Sequence, residues 1–271
     1  MKTLKPFIKW VGGKRWFVRG YSHFLPSKYN CYIEPFLGGG SVYFTLAPQK
    51  AILGDANRDL INTYSALKEN WQLVYQYLRV HHRKHSKDYY YLIRGKKLRS
   101  SFSKAAQFIY LNRTCYNGLY RVNRQGQFNV PIGTRSSVLF KDDSFEIISK
   151  LLQSATLIVA DFEDLINVAS EGDFVFFDPP YKIRHNIDGF VSYNEKLFSW
   201  DDQVRLFHAV RRAKDRGVVI LGTNVCHQSL CELYAPDFHM IEVNRNSSIS
   251  SKVEYRGCFR ELVISSEKWS G

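Results

Sequence analysis

The chain has 271 residues, 45% of them hydrophobic and 23% charged, which suits one large domain or a core with a substantial insertion and argues against disorder except at the ends. Its formal net charge is +13, which favours an anionic partner, nucleic acid first, although a solvated basic surface would carry the same charge. Five cysteines (Cys31, Cys115, Cys226, Cys231 and Cys258) include no Cys-x-x-Cys pair, so neither a disulfide framework nor a metal site is expected, and reduced thiols in a cytoplasmic protein are. No stretch approaches the roughly 18 apolar residues of a membrane helix, and no apolar core follows the N-terminal charges as in a signal peptide.

Along the chain, Phe7-Ile8-Lys9-Trp10-Val11-Gly12-Gly13-Lys14 comes first. Its glycines allow a bend close to a ligand, Lys14 could pair with a carboxylate, and Trp10 could pack on the ligand. Cys31 to Glu34 reads as a strand running into Pro35-Phe36-Leu37-Gly38-Gly39-Gly40. Glycines there let a ligand approach the backbone and expose the N–H groups of the next helix, but a plain strand-to-helix turn reads the same way. The run is not the dinucleotide pattern Gly-x-Gly-x-x-Gly. Ala51 to Leu53 is a second strand, ending at Asp55, an acid placed to accept from ribose hydroxyls or to cap a helix opening at Asn57.

From Asn57 to Lys150 no convincing core strand is found. Helices are predicted over Trp71 to Ser86 and Ser103 to Cys115, then a hairpin over Leu119 to Pro131 turning at Gln125-Gly126. This segment reads as an insertion, and it carries Arg79, Arg83, Lys84, Lys96, Lys97, Arg99, Arg113, Arg121 and Arg124. Strands resume at Ala155 to Ala160, ending at Asp161, at Phe174 to Phe177, ending at Asp178, and at Val218 to Leu221, ending near Thr223-Asn224. A helix is predicted over Asp202 to Lys214. The alternation predicts an α/β fold with a mainly parallel sheet, whose ligands sit beyond the carboxyl ends of the strands.

Asp178-Pro179-Pro180-Tyr181 carries the sharpest chemistry. Two prolines stiffen the backbone and remove two N–H donors while keeping their carbonyl acceptors. An exocyclic amine offers two hydrogens, one for the Asp178 carboxylate and one for the Pro179 carbonyl. Its lone pair is delocalised into the ring, and two acceptors would favour a more tetrahedral nitrogen and stabilise the positive charge that develops on it. Tyr181 could stack on the base, which must first leave the duplex.

With these motifs together the sequence resembles the Dam-like family of DNA N6-adenine methyltransferases. The matching segments are Lys9 to Lys14, Glu34 to Gly40, Asp55-Ala56-Asn57, Asn117 to Asn123, Gly126 to Gly133, Asp161-Phe162 and Asp178 to Tyr181. The resemblance implies a Rossmann-like S-adenosylmethionine-dependent methyltransferase fold with a seven-stranded, mainly parallel sheet. Residues 1–56 and 145–271 would form the catalytic domain, and 57–144 a mostly helical target-recognition domain with a hairpin at 118–132. It assigns Trp10, Lys14, Pro35, Phe36, Gly38, Gly39, Gly40, Asp55, Asp161, Phe162 and Asp178 to S-adenosylmethionine, with no metal. Asp178, Pro179, Pro180 and Tyr181 become the catalytic set.

The family recognises GATC, and Arg121 matches an arginine that reads its guanine. Leu119 and Pro131 match apolar contacts near the thymine. Tyr116 and Asn117 match residues that fill the space left by the flipped adenine, and Asn123 falls in the same reading region. Phe190, Tyr193 and Phe198 fall where the family closes over the base. Arg245, Ser247 and Ser248 read as a phosphate-contacting loop. The expected partner is double-stranded DNA, bound by a monomer. A catalytically silent DNA-binding protein, or an enzyme for cytosine N4 or RNA adenine, are the competing readings. An intact motif argues against the first, and Asp178, where N4 enzymes more often carry Ser, argues for adenine.

Overall fold

A computed structural model describes residues 4–123, 125–180, 198–246 and 258–268. The fold is α/β with a seven-stranded mixed sheet. The chain divides into two compact units, residues 1–18 with 37–159 and residues 19–36 with 160–271. No helix among the described residues is long and apolar enough to cross a membrane.

The first unit holds α1 (Arg15–Gly20) in part, α2 (Ser41–Leu46), β2 (Ala51–Asp55), α3 (Arg58–Lys84), α4 (Lys87–Gly95), α5 (Ser101–Thr114), α6 (Phe145–Leu152) and β3 (Ala155–Val159). β2 and β3 are parallel, in register from Ala51 with Ala155 to Asp55 with Val159. Among the buried side chains of α3, Leu60, Tyr64 and Leu67 in its first half and Val74 and Leu78 in its second recur at helical spacing. Asn57 caps it by accepting from Leu60 N–H at 3.1 Å. A break at Asn70 (φ −154°, ψ 82°) divides the helix, and the Asn70 side chain recaps the second half through Leu73 N–H at 2.9 Å. α5 lies against α3 with Ala105, Ala106, Ile109 and Tyr110 buried. Residues 58–114 are thus mostly helical, and they belong to the same compact unit as β2 and β3.

The second unit holds β1 (Tyr32–Glu34), α7 (Phe162–Asn167), β4 (Phe174–Phe177), α8 (Trp200–Asp215), β5 (Val219–Val225), α9 (Gln228–Tyr234), β6 (His239–Asn246) and β7 (Cys258–Ser265). Its strands run in the order β1-β4-β5-β7-β6. β1, β4 and β5 are parallel, whereas β7 runs antiparallel to both β5 and β6. All four residues of β4 are buried, as a parallel strand covered on both faces requires. α8 opens on a capping box in which Ser199 and Asp202 satisfy each other's backbone N–H groups.

Candidate active site

In the first unit the glycine turn is built by crowding. Gly40 N–H donates to Leu37 C=O at 2.8 Å, and Gly38 and Gly40 have positive φ of 48° and 66°, a region that favours glycine. A Cβ on Gly38 would lie 2.7 Å from Trp10 Cδ1, and one on Gly40 2.9 Å from the Tyr64 hydroxyl. Asp55 holds the turn from the end of β2. Its Oδ2 accepts from Gly38 N–H at 3.0 Å and its Oδ1 from Asn57 N–H at 2.9 Å. Burial pushes its carboxyl above the usual carboxylate range, against the two N–H bonds. Asn57, not Asp55, caps α3. Lys14 is buried, with Nζ donating to Gly12 C=O at 2.8 Å. Tyr64, which sequence reading passed over, donates its hydroxyl to Gly38 C=O at 3.1 Å.

The hairpin expected at Leu119 to Pro131 is present as a narrow loop with single bridges rather than strands. Val122 bridges Phe128 and Cys115 bridges Ile132, and Tyr116 N–H donates to Pro131 C=O at 2.9 Å. Arg121 is exposed, and its Nε donates to Asn129 Oδ1 at 2.8 Å. Tyr116, Asn117, Leu119 and Pro131 are also exposed, and Asn117 has a positive φ of 55°. Asn123 organises the turn instead, its Oδ1 accepting from Gln125 and Gln127 N–H. Trp10 stacks on Tyr120 with centroids 5.5 Å apart, and the Tyr120 hydroxyl donates to Asp59 Oδ2 at 3.2 Å. Arg113 corrects one expectation of the sequence. It is buried, paired with Asp143 through two 2.7 Å bonds and bonded to Phe7 C=O, and so is withdrawn from any surface. Arg124 lies outside the described residues.

In the second unit, Asp178, Pro179 and Pro180 follow β4 directly, and Pro179 is buried. The Thr223 hydroxyl donates to Asp178 Oδ1 at 3.0 Å. Pro35 is buried after β1, and Phe36 stacks on Phe162 at 5.4 Å. Phe198 packs on both rings. Asp161 caps α7 by accepting from Glu163 N–H at 2.9 Å and pairs with Arg205 at 2.9 Å. The Arg205 guanidinium in turn lies over the Phe162 ring. Arg245, read from sequence as part of a loop, is instead on β6, and its guanidinium bonds the buried Glu261 at 2.8 Å. Tyr181, Phe190, Tyr193, Ser247 and Ser248 lie outside the described residues.

A glycine turn held by a buried acid, an acid-proline-proline strand end and an exposed arginine hairpin are thus shown by residue and bond. A family model described as D12 class N6 adenine-specific DNA methyltransferase matches residues 10–249. The Type II methyltransferase M1.LlaDCHI of Lactococcus lactis subsp. cremoris is 37% identical over 97% of this chain and 95% of its own length. The Type II methyltransferase M.MjaIII of Methanocaldococcus jannaschii is 36% identical over 96% of this chain and 99% of its own. A DNA adenine methylase of Vibrio cholerae serotype O1 is 32% identical, covering 92% and 91%. The chain therefore belongs to the D12 class of N6 adenine-specific DNA methyltransferases, and it is an adenine-specific DNA methyltransferase.

Proposed function

We propose that the enzyme moves a methyl group from S-adenosylmethionine to N6 of an adenine flipped out of double-stranded DNA, and that its site is GATC. The observation that carries the chemistry is the end of β4, where a fixed carboxylate meets two residues without N–H groups. Asp178 and the Pro179 carbonyl accept the two amine hydrogens, which concentrates the nitrogen lone pair. So held, the amine nitrogen would act as the nucleophile toward the methyl group, and the extra N–H proton of the methylated amine would pass to solvent, leaving a neutral secondary amine. When bound, S-adenosylmethionine supplies that methyl on a positively charged sulfur, which departs with the bonding electron pair. Pro180 stiffens the strand end, and Tyr181 stacks on the extruded base.

The residues suit this donor. The crowded Gly38 to Gly40 turn leaves backbone, not side chains, to meet a ligand. The Asp55 carboxylate suits ribose hydroxyls, and the Lys14 ammonium suits the donor's carboxylate. Trp10 and the Phe36–Phe162 stack supply aromatic surface for the donor, with Pro35 and Asp161 beside them in sequence. The GATC assignment rests on the hairpin. Its Asn129 bond orients Arg121 while the side chain stays exposed, as bidentate reading of a guanine needs. Leu119 and Pro131 contact the thymine, Tyr116 and Asn117 fill the gap left by the adenine, and Asn123 holds the turn that presents them. Residues 57–144 serve as the recognition region. Ser247 and Ser248 contact phosphate, and Arg245 braces the strand before them.

Sequencing for modified bases, on duplex DNA incubated with the enzyme and S-adenosylmethionine, tests this. N6-methyladenine confined to GATC is the expected result. N6-methyladenine in another sequence overturns the site, and N4-methylcytosine overturns the base.

A further inference from the structure

We propose that Thr223 is a positioning residue for methyl transfer, acting through Asp178; this rests on the reading of Asp178 as an acceptor for the target amine. Thr223 is fully buried on β5, one residue past Gly222, which is in register with Phe177. Its hydroxyl donates to Asp178 Oδ1 at 3.0 Å. The terminal torsion of an aspartate is broad and weakly restrained by its own backbone. A donor bond on one oxygen fixes the carboxylate plane, and with it the directions of its lone pairs. A buried hydroxyl costs desolvation energy that only such a bond offsets, so a core position that packing alone would give to valine carries a threonine.

The strand that presents Thr223 is itself held on both sides. A Cβ on Gly222 would lie 2.1 Å from the Phe177 ring, so that ring packs directly over β5 where any side chain at position 222 would collide with it. On the other side Asn224 is buried and donates to Gln203 Oε1 at 3.1 Å. Gln203 donates in turn to the buried Tyr234 hydroxyl at 2.9 Å. The hydroxyl therefore sits on a rigid support, as precise orientation of a reacting group demands.

The test compares Thr223→Val, which removes the hydroxyl at nearly constant volume, with Thr223→Ser, which keeps it, and with Asp178→Asn. For each, kcat, both KM values and the melting temperature are measured. The expected result for Thr223→Val is a fall in kcat on the order of 10- to 100-fold, with both KM values within about twofold and kcat largely restored in Thr223→Ser. If Thr223→Val keeps kcat within about twofold while Asp178→Asn is inactive, the role of Thr223 is overturned and that of Asp178 stands. Wild-type kcat in Asp178→Asn overturns the reading of Asp178 and the proposal with it. A merely structural threonine would lower the melting temperature in both Thr223 variants without the serine rescue, and that result also overturns the proposal. Should the valine variant fold poorly, Thr223→Ala replaces it, and equal kcat in the alanine and serine variants overturns the proposal.

Discussion

Gly38 shows at a single residue how backbone conformation and crowding fix a turn. Two effects oppose any side chain there. The φ of 48° costs an L-residue roughly 1 kcal/mol, and a Cβ would press on Trp10 at 2.7 Å. Gly12 separates them, because it also has a positive φ, of 78°, but no atom lies within 4 Å of its would-be Cβ. Gly38→Ala is therefore expected to weaken S-adenosylmethionine binding by about tenfold or more, through displacement of Trp10, whereas Gly12→Ala loses only the strain term. Calorimetric titration of both variants with the donor checks this. Equal affinities would show that Trp10 does not shape the donor site. The sequence left the glycine run between a bare turn and a ligand approach, and neither the Trp10 contact nor the Tyr64 bond to Gly38 was visible there. Those partners come from 28 residues upstream and 26 downstream in the chain, and no local pattern encodes such pairings.

At the scale of elements, α3, α4 and α5 enclose a small polar cluster. His81 is buried, stacks on Tyr110 at 4.8 Å and meets the Tyr89 hydroxyl at 2.9 Å. His85 meets the Tyr110 hydroxyl at 2.9 Å. Burial, aided by Lys96, pushes the His81 imidazole down to about 4. Above pH ~6.5 neither the folded nor the unfolded chain protonates it, so its effect on stability is constant. Between ~6.5 and about 4 the unfolded chain takes up a proton that the folded chain refuses, and stability falls as the pH falls. The whole effect is on the order of 3 kcal/mol. His81→Phe is expected to flatten the loss of melting temperature between pH 6.5 and 4, even if it lowers stability at neutral pH. Parallel wild-type and variant curves across that interval would show that other groups govern the acid limb.

The elements also show what sequence reading reached. Strands ending at Asp55, Asp161 and Asp178 were legible as short apolar runs, β2 and β4 because they are largely buried and β3 although it lies at the sheet edge and is mostly not buried. Helices were legible over the second half of α3, over α5 and over α8; α5 is buried almost all round, so its length rather than an apolar stripe marks it. β6 and β7 were not located. Their identity depends on register, and only the pairing that sets Val243 opposite Glu261 and Arg245 opposite Phe259 shows that Arg245 neutralises a buried acid.

The net charge of +13 acquires meaning only when the engaged cations are set apart from the exposed ones. Arg113 is consumed by Asp143, Arg245 by Glu261, and Arg205 by Asp161, Glu163 and Asp202. Arg79, Arg83, Lys84, Lys96, Lys97 and Arg99 are exposed on the helical region that sequence reading assigned to DNA. If these side chains neutralise phosphates, each releases counterions on binding, and the logarithm of affinity falls with the logarithm of salt by about 0.9 per phosphate contact. Replacing Lys96 and Lys97 with glutamine is then expected to reduce that slope by about 2. The loss of affinity should be the same on GATC and on unrelated duplex, because phosphate contacts position the protein without reading sequence. Fluorescence anisotropy across a salt series on both duplexes measures the two quantities together. An unchanged slope would remove α4 and the loop after it from the DNA interface, and a loss confined to GATC would make these lysines readers of bases instead.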